Sequence, residues 1–289
     1  MAVVASIKKG FGVTKQSLSI VGLMSLFGLV WNLLNLYYGP KIQAQVQAPS
    51  LKVSVIIIIA TLVFILLSIF LQAGSLGYVR DRLKQGKADL SVFMASGSKY
   101  YFRLLLVGLI VMVVVILCVV AAAAAVALLR KPGLIIAVPV ALVAVYTVLL
   151  MFFASYMVVL DEKKAMESIK NSVTLVGKGT HFFFGVVLTA ISPLLAIACL
   201  IPSFRNSKLG QKNLVKIFAV TAVVVSIGFA IGLLTGVILG LLNVAVPGVF
   251  SQVVYAVLSS VLNAFLGIFV TATFMHFYLE ISNTNTTGA

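Results

Sequence analysis

Residues 217–279 contain no Asp, Glu, Lys or Arg. Such a stretch does not suit the surface of a water-soluble domain, where about a quarter of residues are charged. It is ample for a bilayer, which a helix crosses with about 20 mostly apolar residues. Charge-poor runs of that kind recur at residues 18–38, 53–77, 104–129, 134–160 and 182–201, and the final stretch divides into 217–243 and 249–279. The composition agrees, with 62% hydrophobic and 9% charged residues and a mean hydropathy of +1.20. The chain therefore reads as a single integral membrane domain over residues 1–289, an all-α polytopic transmembrane bundle of six to seven spans. The basic segment before the first run resembles a signal peptide, but that run is too long for one, and a retained first span is expected.

The net charge of +15 needs an anionic partner. Nucleic acid is a poor fit, because no basic patch interleaves with aromatic residues. A membrane surface fits better, since the cations fall between the apolar runs. Lys8, Lys9 and Lys15 precede the first span; Arg80, Arg82, Lys84, Lys87, Lys99 and Arg103 follow the second; Lys163, Lys164, Lys170 and Lys178 follow the fourth. Only Lys41, Lys52, Arg130 and Lys131 occupy the alternate loops. Basic residues concentrate on the cytoplasmic side, so the N-terminus is expected inside a cell membrane. Arg205, Lys208, Lys212 and Lys216 create a conflict: they fall inside if residues 182–201 turn back, and outside if that segment crosses. The charge rule favours the turn. The repeat described next favours a full crossing, hence seven spans and an external C-terminus.

Sliding the chain by 81 residues lays "SVFMASGSKYYFRLLLVGLI" from Ser91 over "SVTLVGKGTHFFFGVVLTAI" from Ser172, and twice that shift lays "SIKKGFGV" from Ser6 over "SIKNSVTL" from Ser168. Two readings stand: chance matches, or three units (1–81, 82–162, 163–243) followed by a last span at 249–279. Each unit would begin with a short amphipathic helix. Met166, Ile169, Val173 and Val176 form the clearest stripe, with weaker ones at Ala88, Val92, Ala95 and at Ile7, Phe11, Thr14. Such helices fit the membrane interface, with Lys163, Lys164, Lys170 and Lys178 toward anionic headgroups. Alternatively, the apolar stripe packs on the protein's own spans.

"GFAIGLLTGVILG" places Gly228, Gly232, Gly236 and Gly240 on one helix face. In water each would cost about 1 kcal/mol relative to Ala, but in lipid small residues let helices approach closely. The expected partner is the stripe Ala256, Ser260 and Ala264 on the last span, with a homo-oligomer seam or a lipid groove as alternatives.

Little points to catalysis. Asp81, Asp89, Asp161, Glu162, Glu167 and Glu280 are the only carboxylates, all at or beyond span ends. Asp161 and Glu162 suit a helix start, where acids oppose the helix dipole. His181 and His276 lack metal-ligand spacing, Cys118 and Cys199 sit in apolar runs, and no phosphate loop or nucleophile elbow occurs. No enzyme activity, cofactor or metal is expected. Spans nearly free of ionisable groups also disfavour a proton-coupled pump. Uncharged polar groups remain: Asn32, Asn35, Gln72, Asn243, Gln252 and Asn263, with Pro139, Pro193 and Pro247 able to break helices. They could line a site for a lipidic substrate or hold helices together.

The stretches "YMVVLDEKKAMESIKNSVTLVGKGTHFFFGVV" and "YVRDRLKQGKADLSVFMASGSKYYFRLL" resemble loops of a group of multi-span prokaryotic membrane families. That group includes the membrane domain fused to some glycerophosphodiester phosphodiesterases, and relatives of unassigned function. The resemblance rests on an acidic start, a central Ser172, and Val176-Gly177 before the aromatic cluster from His181 to Phe184. Val173 replaces the aromatic residue that often follows the central serine, and the basic loop 205–216 departs from the group's six-span layout. The resemblance implies a multi-span membrane fold. It implies no phosphodiesterase activity, since that catalytic domain has no counterpart here. The expectation is a non-enzymatic scaffold or accessory subunit contacting anionic lipids, alone, as a homo-oligomer or with a membrane-protein partner. The alternative is a carrier or channel for an apolar or lipid-like substrate.

Overall fold

The computed structural model describes residues 2–47, 51–129, 153–177 and 248–286, with further helical positions at 140, 144, 147, 151, 223, 226–227, 232–233 and 236–237. Seven helices are traced: α1 (Ala2–Gln16), α2 (Leu18–Gln47), α3 (Leu51–Gln85), α4 (Leu90–Leu129), α5 (Ala154–Leu160), α6 (Ala165–Gly177) and α7 (Val249–Thr286). No strand occurs among the described residues. Four helices are long and apolar enough to cross a membrane, at Leu18–Gly39, Val55–Gln85, Leu90–Leu128 and Val249–Glu280. The expected spans at 134–160, 182–201 and 217–243 lie mostly or wholly outside the described residues, as do the 205–216 loop, Lys178, Gly228 and Gly240.

One of these helices is longer than a bilayer crossing requires. The 40 residues of α4 extend about 60 Å at 1.5 Å per residue, twice the roughly 30 Å hydrocarbon core. The amphipathic start expected as a separate helix is thus continuous with its span. No Gly or Pro break separates them, because Gly97 and Gly108 lie within regular helix.

The chain divides into two compact units, residues 1–101 with 219–289, and residues 102–218. In the first, α7 is the centre. Its C-terminal half is largely buried, with Ile268, Ala272, Met275 and Phe277 at most 1% exposed. The N-terminal half of α7 meets α2, where Ser260 lies 3.5 Å from a Cβ built on Gly28, and Asn32 Nδ2 donates to the Ala256 carbonyl at 3.3 Å. Higher residue numbers on α2 meet lower numbers on α7, so the two helices run antiparallel. α1 crosses the other end of α7, with Gly10 against Thr273, Phe11 edge-on to Phe265 at 6.1 Å and Ser6 Oγ 3.0 Å from His276 Nδ1. The start of α2 and the end of α7 therefore emerge at one end of this unit. α3 reaches the same end, where Arg82 Nη2 donates to the Gln16 carbonyl at 3.2 Å. The start of α4 crosses α3 closely: a Cβ on Gly74 would lie 2.8 Å from the Phe93 ring, and one on Gly97 2.7 Å from the Phe70 ring.

Of the small-residue stripe on α7, Ser260 meets Gly28 of α2, the Ala256 carbonyl accepts from Asn32, and Ala264 is buried farther along α7; Gly228 and Gly240 of the expected partner ridge lie outside the described residues. A Cβ built on Gly232 or on Gly236 meets nothing within 4 Å, and the neighbouring Leu233 and Val237 are more than half exposed.

The second unit comprises the rest of α4, α5 and α6. Every residue of α5 but Ser155 is buried. The α5–α6 turn carries Glu162 at φ 54°, a left-handed conformation that few non-glycine residues adopt. Arg103 Nη1 donates to the Glu162 carbonyl at 2.7 Å and fixes that turn to the base of α4. Asp161, expected near the start of α6, stands four residues before it; its backbone N–H closes α5 on the Met157 carbonyl at 3.1 Å, and its carboxylate pairs with Lys163 at 3.7 Å.

Candidate functional site

The three amphipathic elements share a rule that their apolar stripes did not suggest. On α1 the buried face is Ser6, Gly10, Val13 and Thr14, while Phe11 is 53% exposed. On the first turns of α4 Phe93, Ser96 and Gly97 are buried and Met94 is 52% exposed. On α6 Ala165, Ser168, Ile169 and Ser172 are buried and Met166 is 64% exposed. The expected stripe of Met166, Ile169 and Val173 is therefore split, with Ile169 inward, Val173 intermediate and Met166 outward. Small and hydroxyl-bearing residues turn inward because they let backbones approach and can hydrogen-bond locally, as Thr14 Oγ1 does to the Gly10 carbonyl at 2.8 Å. Phe93, Val13 and Ile169 turn inward with them, while Phe11, Met94 and Met166 face out. The buried positions also match between α1 and α6: Ser6 with Ser168 and Gly10 with Ser172, whereas Ser91, the corresponding position of α4, is exposed.

The outward faces carry the cations. Val4, Lys8, Phe11 and Lys15 fall at helical spacing along the exposed face of α1, with Lys9 beside them. At the same end of this unit, Lys84, Lys87 and Lys99 are exposed. Tyr100 organises the root of that surface: Arg80 Nη1 donates to its hydroxyl at 2.6 Å, and Lys99 Nζ stands 5.1 Å from the ring centroid. Lys164 just before α6 and Lys170 on it are exposed, Lys163 is partly engaged by Asp161, and Lys178 lies outside the described residues.

One constellation could be mistaken for a catalytic triad. Ser6 Oγ lies 3.0 Å from His276 Nδ1 and 3.4 Å from Glu280 Oε2. A triad needs the carboxylate on the ring nitrogen away from the nucleophile, but here both partners converge on the hydroxyl. Ser6 is also fully buried beneath α1. The arrangement latches α1 to α7. His276 and Glu280 stand one turn apart on α7, and only the fold brings Ser6 to them. Among the described residues no group of three or more His, Cys, Asp and Glu is placed to hold a metal.

At the far end of the α2–α7 pair lies a cavity of about 500 Å³ lined by Asn32, Asn35, Ser251, Gln252 and Tyr255 together with Leu36 and Ala256. Asn32 is its floor, directing its amide N–H groups to Ser260 Oγ at 2.9 Å, Ser259 Oγ at 3.1 Å and the Ala256 carbonyl. Three of the six uncharged polar residues picked out from the sequence thus meet here: Asn32, Asn35 and Gln252. Gln72 and Asn263 are exposed elsewhere in the first unit, and Asn243 lies outside the described residues.

Comparison with known proteins matches residues 1–208 to one family, a domain of unknown function (DUF7847). The chain belongs to that family. No curated protein matches, and no solved structure matches.

Proposed function

We propose that this member of the DUF7847 family is a non-enzymatic, multi-pass protein of the cell membrane, a scaffold or accessory subunit whose cytoplasmic face gathers anionic lipid. The observation that carries this reading is that α1, the start of α4 and α6 each leave one large apolar side chain, Phe11, Met94 and Met166, exposed among exposed lysines. Each lysine near an anionic surface contributes about 1 kcal/mol, so the cations on α1 supply useful binding only as a group.

The antiparallel course of α2 and α7 supports a topology as well. If both cross, the chain leaves the membrane on the side where it entered, so the number of crossings is even and the C-terminus is cytoplasmic with the N-terminus. This replaces the external C-terminus expected from the repeat. It agrees with the charge rule, which places Arg205, Lys208, Lys212 and Lys216 inside when residues 182–201 turn back.

The test uses the full-length protein in nanodiscs of phosphatidylcholine containing phosphatidylglycerol. Native mass spectrometry should detect retained phosphatidylglycerol on the wild type and less on the Lys8→Gln, Lys9→Gln, Lys15→Gln variant. Equal retention would reduce α1 to a packing element.

A further inference from the structure

The cavity between α2 and α7 sits between two helices apolar enough to cross a membrane yet presents hydrogen-bonding groups. Asn35 is 17 residues along α2 from Leu18, hence about 25 Å up a helix rising 1.5 Å per residue, close to the far border of the hydrocarbon core. Ser251, Gln252 and Tyr255 come from the first turns of α7 and fall at the same level, because the two helices are antiparallel. We propose that this cavity binds a membrane lipid with an uncharged, hydroxyl-bearing headgroup, a glycerol or sugar, from the far leaflet.

The chemistry of the lining selects that class. Carboxamides donate and accept at once, and so do alcohols, whereas a phosphate only accepts and an ammonium only donates. No Asp, Glu, Lys or Arg occurs on α2 from Leu18 to Pro40 or on α7 before Glu280. A phosphate in the cavity would therefore find no cation among the described lining residues, the first on α2 being Lys41, six residues beyond Asn35. A choline group would need an aromatic cage, and Tyr255 is the single aromatic ring in the lining. Asn32 is committed to α7 through its N–H groups, but Asn35 and Gln252 have no hydrogen-bond partner among the described residues, and both are exposed to the cavity mouth. Carboxamides at this depth are costly unless a polar group answers them, and a headgroup hydroxyl does so. Below them, exposed Val253, Val257 and Val261 give α7 an apolar strip for the acyl chains.

The single Trp of the chain provides the readout. Trp31 stands one helical turn before Asn35 and is held by stacking on Phe64 at 3.9 Å. Full-length protein is placed in phosphatidylcholine nanodiscs doped with brominated monoglucosyl diacylglycerol, brominated phosphatidylglycerol or brominated phosphatidylcholine at equal mole fraction. The glucolipid should quench Trp31 more than either phospholipid. Asn35→Leu with Gln252→Leu should abolish the excess, lowering apparent affinity about tenfold for two lost hydrogen bonds. Lys8→Gln, Lys9→Gln, Lys15→Gln should leave the excess intact, which separates this site from the basic face of α1. Both substituted amides are exposed, so folding should survive. A wild-type competition with unlabelled glucolipid, which should reverse the quenching, provides a check free of mutation. Equal quenching by all three lipids, an excess that survives the double substitution, or no reversal by unlabelled glucolipid would overturn the proposal.

Discussion

Gly10 lies so tightly against Thr273 that a Cβ on the glycine would collide with the threonine hydroxyl and come within 3.0 Å of the backbone nitrogen. This crossing sets how α1 meets α7, and everything outward of it, including Lys8 and Phe11, takes its direction from that contact.

Gly10→Val should therefore destabilise the protein by about 1 to 3 kcal/mol, the usual cost of overpacking a fitted contact, and should expose α1 to protease. Gly236→Ile, by contrast, enters open space and should leave the melting temperature in detergent within error of the wild type. Thermal unfolding of both variants checks the pair, and a larger loss for Gly236→Ile would contradict the packing described.

The Thr273 hydroxyl is buried with no hydrogen-bond partner among the described residues. Thr273→Val keeps the shape and removes an unanswered polar group, so stability should rise by up to about 1 kcal/mol. A fall in melting temperature would show that the hydroxyl has a partner.

Asn32→Leu removes the amide that ties α2 to Ser259, Ser260 and the Ala256 carbonyl. Interhelical hydrogen bonds in membranes average about 0.6 kcal/mol and reach about 1.7, so a loss of about 1 to 2 kcal/mol is expected from this three-way contact. Chemical unfolding in mixed micelles measures it.

The spans seen as α2, α3, α4 and α7 were legible in the sequence, because hydrophobic length is a property of the chain itself. Helix faces were not. Reading Met166 and Ile169 as one stripe applies the rule for helices in water, where large apolar residues share a face. In a bilayer the solvent is itself apolar, burial brings no hydrophobic gain, and closeness of backbone decides. The serines at Ser6, Ser168 and Ser172 and the glycine at Gly10 were the better signal. The glycine ridge shows the limit of that signal: Gly232 and Gly236 are as small as Gly28, yet Gly28 is the one placed opposite Ser260, and spacing alone carries no information about partners. The cavity was half legible. Asn32, Asn35 and Gln252 were conspicuous as amides in apolar runs, but only the antiparallel register of α2 and α7 brings residues so far apart in sequence to one level.

The central claim is that α1 lies on the cytoplasmic face with the end of α7 beside it. It is tested most directly by cysteine accessibility in intact cells, with Lys15→Cys on α1 and Asn283→Cys beyond the α7 span, each in a background lacking Cys118 and Cys199. Both sites should resist a membrane-impermeant maleimide until the cells are permeabilised, and then react together. Labelling of either site in intact cells would contradict the account: at Asn283 it would restore an odd number of crossings, and at Lys15 it would place the basic helix on the wrong surface.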